Sequence, residues 1–124
     1  MALEWTISHD DRMVEAVASG PTDLQDIERY FDSIIVAEAW PYRKLFDATR
    51  ATSAFNDDDM LMLGARILAY RSLGSLGPLA IATSDDIRQQ ARLFSALGAA
   101  DRPLKVFKSI RAARKWLVAL SIGT

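Results

Sequence analysis

The chain contains no cysteine. Disulfides, thiolate metal sites and cysteine nucleophiles are therefore excluded, and the composition suits a reducing cytoplasm. Long apolar runs are missing too. The longest uncharged stretch, residues 72–84, is too short for a bilayer and contains glycines and a proline. The opening MALEWTISHD has neither a basic segment nor an apolar core, so no secretory signal is expected in it. Charge of one sign is scarce overall: 16 acids against 15 bases leave a net charge of −1. That gives no reason to expect nucleic acid as a partner of the whole molecule. There is one histidine, His9, and no acid follows Asp101.

What is present has an ordinary soluble composition, with half the residues apolar and a quarter charged. At 124 residues, one domain over 1–124 is expected. Through Leu63 there are 13 acids and 5 bases, net −8; from Gly64 onward, 3 acids and 10 bases give +7. Such a division makes the molecule a dipole if the halves form opposite faces, and cancels if they interleave.

Leu3, Trp5 and Ile7 alternate with polar residues, the period of a half-buried strand. The turn-rich SHDDR and a second alternation at Val14, Ala16 and Ala18 complete a hairpin. Gly20-Pro21 is expected to break the chain. Thr22 or Asp23 then caps a helix with Leu24, Ile27, Phe31 and Ile34 at helical spacing, ending by Trp40 because Pro41 follows. RKLFDAT is a short strand expected to end at Asp47, and ATRATSAF a loop of small residues. Met60, Leu63, Ile67 and Tyr70 mark a second helix, stopped by Gly74 and Gly77. PLAIAT is a strand; Ser84 or Asp85 caps a helix with Ile87, Ala91, Phe94 and Leu97, closed by Gly98. LKVF is the last strand, and Ser109 caps a helix with Ile110, Ala113, Leu117 and Leu120 on one face.

The order β-β-α-β-α-β-α-β-α implies an α/β fold. It predicts a mixed sheet with an antiparallel opening pair, right-handed parallel crossovers and helices mainly on one face.

FNDDDM, residues 55–60, places Asp57, Asp58 and Asp59 side by side at a helix start. Asn56 or Asp57 as N-cap contributes about 1 kcal/mol, and first-turn acids about 0.3–1 kcal/mol each against the helix dipole. One cap suffices, so the surplus acid suggests a docking surface. Phosphate is disfavoured beside three carboxylates despite the helix start. Calcium needs ligands spaced around a loop, which three consecutive side chains do not give. No metal and no cofactor is expected.

With these elements in place, the chain resembles the STAS domains, the fold of anti-sigma-factor antagonists. The closing VFKSIRAARKWL is most similar to the SpoIIAA-like branch, which also shows similarity to lipid-binding Sec14-type sequences. STAS antagonists carry a Phe-x-Asp-Ser-Ser-Gly type motif after the third strand, whose first serine is phosphorylated. Phe55 and Asp57 match it, but Asp58 stands at the phosphoacceptor, Asp59 at the next serine and Met60 at the glycine. The resemblance implies a non-enzymatic regulatory module with a protein partner at Thr49, Arg50, Phe55, Asn56, Asp57, Asp58 and Asp59. The usual phosphoswitch would be replaced by one fixed charge, where phosphoserine carries about −1.5 to −2. It also implies an alternative, a small apolar or lipid-like ligand lined by Met60, Met62 and Tyr70, which serve equally as plain core. A homo-oligomer stays open.

Other features have simpler readings. His9 beside Asp10 and Asp11 fits a hairpin turn, since no nucleophile elbow accompanies it. Asp47 at a strand end is similar to the phosphorylated aspartate of receiver domains, which lack an opening hairpin. Gly74 to Gly77, GSLG, has nucleic-acid KH-loop spacing, but Pro78 and a strand follow where KH needs a helix. The terminal helix bears Lys108, Arg111, Arg114 and Lys115 with Trp116, a set suited either to solvent or to peripheral contact with an anionic inner membrane. A small enzyme is the rival class; no pair of titratable groups is spaced so that it must meet.

Overall fold

The computed structural model describes residues 2–53, 57–70, 72, 74, 77–89, 91–92 and 102–120. The two alternating runs form β1 (Leu3–Ser8) and β2 (Met13–Thr22), paired antiparallel with Leu3 opposite Ala18. His9–Arg12 make the turn between them, with Arg12 at positive φ. Gly20-Pro21 does not break the chain, because β2 continues to Thr22. Beyond Ser19 the strand has passed the end of β1, so the missing Pro21 N–H interrupts no ladder on that side. On its other side Pro21 pairs with Thr52.

Helix α1 (Leu24–Val36) begins with a reciprocal cap. Asp26 N–H donates to Asp23 (2.9 Å) and Asp23 N–H donates to Asp26 (3.1 Å). Ile27, Tyr30, Phe31 and Ile34 turn inward.

Strand β3 (Arg43–Ser53) is longer than the sequence predicts, and neither Asp47 nor the small residues after it end the strand. Residues 50–53 pair in parallel with 19–22 of β2, after a register shift at Val17/Ser19. A partner strand thus holds extended a segment whose side chains favour no particular state.

Helix α2 (Asp57–Tyr70) follows, then β4 (Leu79–Thr83), buried along its whole length. A 3-10 turn at Asp85–Ile87 opens the third helical region, which has Ser84 at its cap position without a side-chain bond. Residues 88, 89, 91 and 92 are helical, while Phe94, Leu97 and Gly98 lie outside the described residues. Strand β5 (Leu104–Phe107) and helix α3 (Ile110–Ala119) complete the chain, the helix capped by Ser109 accepting from Ala112 N–H (3.1 Å).

The strands form one sheet in sequence order, β1-β2-β3-β4-β5, parallel from β2 onward. Side-chain alternation gives it two cores. On one face Val14, Ala16 and Ala18 pack with Ile27, Phe31 and Ile34 of α1 and Leu63 and Ile67 of α2. On the other, Leu45, Ala80 and Ala82 meet Ala113 and Leu117 of α3. Two of the three helices so labelled therefore share a face, and the terminal one takes the opposite side.

Gly77 is fixed by crowding: a Cβ there would overlap the carbonyl oxygens of Pro41 and Tyr42. Its N–H donates to Trp40 O (3.3 Å), and its carbonyl accepts from Arg102 (3.3 Å). Gly77→Ala should therefore lower the urea-unfolding free energy by about 1–3 kcal/mol, the usual cost of overpacking a tight site.

Candidate functional site

The acids at residues 57–59 open α2, directly after the central strand, as the spacing predicts. Asp58 is exposed and Asp59 half-buried. Phe55 and Asn56 lie outside the described residues, as do the side chains of Asp57 and Met60. Thr49 is held inside β3, its hydroxyl and N–H both donating to Asp47 Oδ1 (2.6 and 3.0 Å). That local clasp occupies Asp47, which sits within the strand and not at its end as a receiver-type site requires. Arg50 is exposed.

Behind the acids, α2 has two unlike faces. Leu63 and Ile67 are buried, while Leu61 is 58 % exposed, Met62 55 % and Leu68 46 %. With Asp58, Ala65 and Ala69 these exposed residues recur at helical spacing on one outer stripe. Ordinary amphipathic helices place polar residues there. Met62 therefore faces solvent and not an internal ligand, as helical phase dictates once Leu63 points inward. Tyr70 packs edge-on against Phe31 and Trp40 (centroids 5.9 and 5.2 Å), accepting a hydrogen bond from Arg66 (3.3 Å). Arg66 also reaches Glu28 on α1 (3.1 Å), tying the two helices together.

Under α1 and α2, against the sheet, lies a cavity of about 140 Å³. Its walls are mostly apolar, with Phe31, Phe46, Ile67 and Ile81 prominent, and two cations also line it, Lys44 and Arg102. Lys44 is 4 % exposed and Arg102 9 %. The period of two places Lys44 beside Phe46 and Ala48 on the α1/α2 face, while Leu45 goes to α3. Lys44 Nζ donates to the carbonyls of Trp40 and Tyr42, the latter at 2.9 Å, and stands over the Trp40 ring. Two of its three donors are so used.

Burial pushes Lys44 down to about 7, and the Arg102 charge adds to that shift. Burial pushes Arg102 down to about 10, opposed by Tyr30, whose phenol burial raises strongly. No carboxylate lines the cavity among the described residues. Tyr30 Oη, Trp40 Nε1, Thr83 Oγ1 and Arg102 Nε are buried without hydrogen-bond partners, each costing about 1–3 kcal/mol.

The remaining sequence-predicted groups are dispersed. Lys108, Arg111 and Lys115 are exposed at and before α3, on the sheet face opposite the cavity. Arg114 is paired with Glu15 of β2, and Trp116 leans on Phe107 (5.5 Å), so neither joins them as a free outward group. His9 meets the Tyr42 hydroxyl (2.8 Å), while the neighbouring Ser8 hydroxyl donates to Asp11 (3.2 Å). Among the described residues no group of three or more histidines, aspartates and glutamates could hold a metal. No described helix is long and apolar enough to cross a membrane.

Sequence reasoning missed Lys44 and Arg102. Lys44 had a signal, since strand alternation puts it in phase with Phe46. Arg102 had none, standing alone before β5.

Comparison with solved structures agrees with this geometry. A SpoIIAA-like protein of the DUF3478 family from Shewanella loihica PV-4, uncharacterised, superposes with a TM-score of 0.59 at 23% identity, covering 94% of this chain and 92% of that one. An anti-sigma factor antagonist from Mycobacterium paratuberculosis gives 0.59 at 13% identity, covering 94% of both chains. No family model and no curated protein sequence matches. The chain has the SpoIIAA-like fold, with its five-stranded mixed sheet.

The electrostatics of Lys44 make a pH prediction. Unfolded, the amine keeps its proton up to about 10.5; folded, only to about 7. Between those values unfolding takes up a proton, so stability rises with pH across that window, by roughly 3 kcal/mol from pH 7 to 9.5. Urea titrations of the wild type and Lys44→Met at several pH values should show this rise only in the wild type.

Proposed function

We propose that this chain is a non-enzymatic regulatory module that captures a partner protein on the start and outer stripe of α2. The observation that carries the reading is the exposure of Leu61, Met62 and Leu68 directly behind Asp58. Contiguous exposed apolar side chains with a charged rim mark protein contact surfaces. The complementary partner presents an apolar patch edged by lysine or arginine, since acids at 57–59 attract bases during encounter. The Mycobacterium protein of like fold, an anti-sigma factor antagonist by name, supports a regulatory role.

Asp58 stands where the related antagonists carry a phosphorylatable serine, and so supplies permanent negative charge. The Thr49 hydroxyl is engaged by Asp47, whereas Thr52 is exposed on β3 and is an accessible alternative acceptor. The module is read as unswitched by phosphate. A cytoplasmic setting fits the lack of cysteine.

Two measurements test this. A partner recovered from a lysate of the source cells is purified and titrated against variants. Leu61→Ser with Leu68→Ser should weaken binding at least tenfold, as loss of anchoring apolar contacts does. Asp57→Asn, Asp58→Asn and Asp59→Asn together should slow association several-fold and flatten its salt dependence, with the melting temperature lowered only by the modest amount that the lost first-turn charges cost. Affinity indifferent to both sets contradicts the reading. Intact-mass analysis of protein from the same cells should show no phosphate, and phosphate on Thr49, Thr52 or Ser53 would overturn the unswitched form.

A further inference from the structure

The cavity beneath α1 and α2 has an unusual polarity, because its unmet groups are of one kind. Trp40 Nε1 and Arg102 Nε can only donate, and the hydroxyls of Tyr30 and Thr83 donate readily; all four are buried and unpartnered. Each belongs to a residue lining the same space. Lys44 adds an ammonium with a third donor left over after Trp40 O and Tyr42 O. The Trp40 carbonyl accepts from both Lys44 Nζ and Gly77 N–H, and the Gly77 carbonyl accepts from Arg102, which brings the two cations into one neighbourhood. Two cations with neutral donors and, among the described residues, no lining carboxylate leave the site short of an acceptor and of negative charge. A protein interior normally supplies both to a buried cation.

Apart from Thr22 and Thr52, apolar residues make up the rest of the wall, so a bare inorganic anion would leave most of the space unfilled. About 140 Å³ is close to the roughly 150 Å³ of an apolar cavity that accommodates benzene. A phospholipid is far too large for that volume. The occupant implied is an acid group attached to a small apolar body.

We propose that this cavity binds a small monocarboxylate with an apolar body of benzene-ring or short acyl-chain size, its carboxylate held between Lys44 and Arg102 and its body against Phe31, Phe46, Ile67 and Ile81. The planar guanidinium matches a carboxylate's two oxygens, and the ammonium neutralises what remains. Leu63 and Ile67 wall the cavity from the inner side of α2, so the site is distinct from the outer stripe and stands whether or not that stripe binds a partner.

Calorimetric titration of the wild-type protein with octanoate, benzoate, 1-octanol, benzyl alcohol and inorganic phosphate tests the proposal. At least one carboxylate should bind no less than about tenfold tighter than the alcohol of matching body, the margin expected for a charge-assisted pair in a buried site. Octanoate preferred over benzoate identifies an acyl chain, and the reverse an aromatic body. Arg102→Met should abolish that margin and leave alcohol binding within about threefold. If Arg102→Met does not fold, the wild-type comparison decides alone. Alcohols binding as well as carboxylates, phosphate binding as well as either carboxylate, or no binding by any probe would overturn it.

Discussion

The fold turns on the alternation of side chains along β3, the strand at the centre of the sheet. Both its edges are occupied, by β2 and by β4, and both of its faces are covered. Leu45 must therefore enter the α3 core, and Lys44 and Phe46 must enter the layer beneath α1 and α2. A one-residue slip would exchange those faces. The parallel ladder to both neighbours prevents that slip, so a lysine is carried into an apolar interior by the same register that buries Phe46. The carbonyls of Trp40 and Tyr42, exposed by the turn into β3, partly satisfy it. Its charge they do not satisfy.

Helix α2 joins the two proposed surfaces. Its inner residues, Leu63 and Ile67, close the cavity, while its outer residues, Leu61, Met62 and Leu68, meet solvent behind an acidic start. The Arg66–Glu28 pair links it to α1 across the roof of the cavity. Such a half-exposed pair contributes at most about 1 kcal/mol, so among the described residues α2 is held mainly by Leu63 and Ile67 and by the aromatic group of Tyr70, Phe31 and Trp40. A helix secured on so narrow a stripe can offer a broad outer face to a partner.

Most of the architecture was legible from periodicity. The hairpin, the stripe of α1 and the acid-led start of α2 each depend on local patterns that survive folding. The extent of β3 was not legible, because residues 48–53 are small or polar, and residues 50–53 are held extended by pairing with the end of β2 that contains its glycine and proline. Nor did the stripe of α3 announce its side of the sheet: periodicity identifies an apolar face without identifying what it packs on. The exposed half of α2 was partly visible, since Met62 falls off the inward stripe of Leu63 and Ile67 by phase. The cavity was the least visible feature. Lys44 had a strand-parity signal, but Arg102 reaches it from a loop, and only the tertiary fold brings the two together.

On this structure Lys44 is an interior amine whose charge no described carboxylate balances. Side-chain carbon NMR of the lysine Cε, with the Lys44 resonance identified by its absence in Lys44→Met, measures that directly. The account predicts a titration midpoint near 7 for the ligand-free protein. A midpoint near the ordinary lysine value of 10.5 would mean a hydrated amine, and would contradict the buried cationic site.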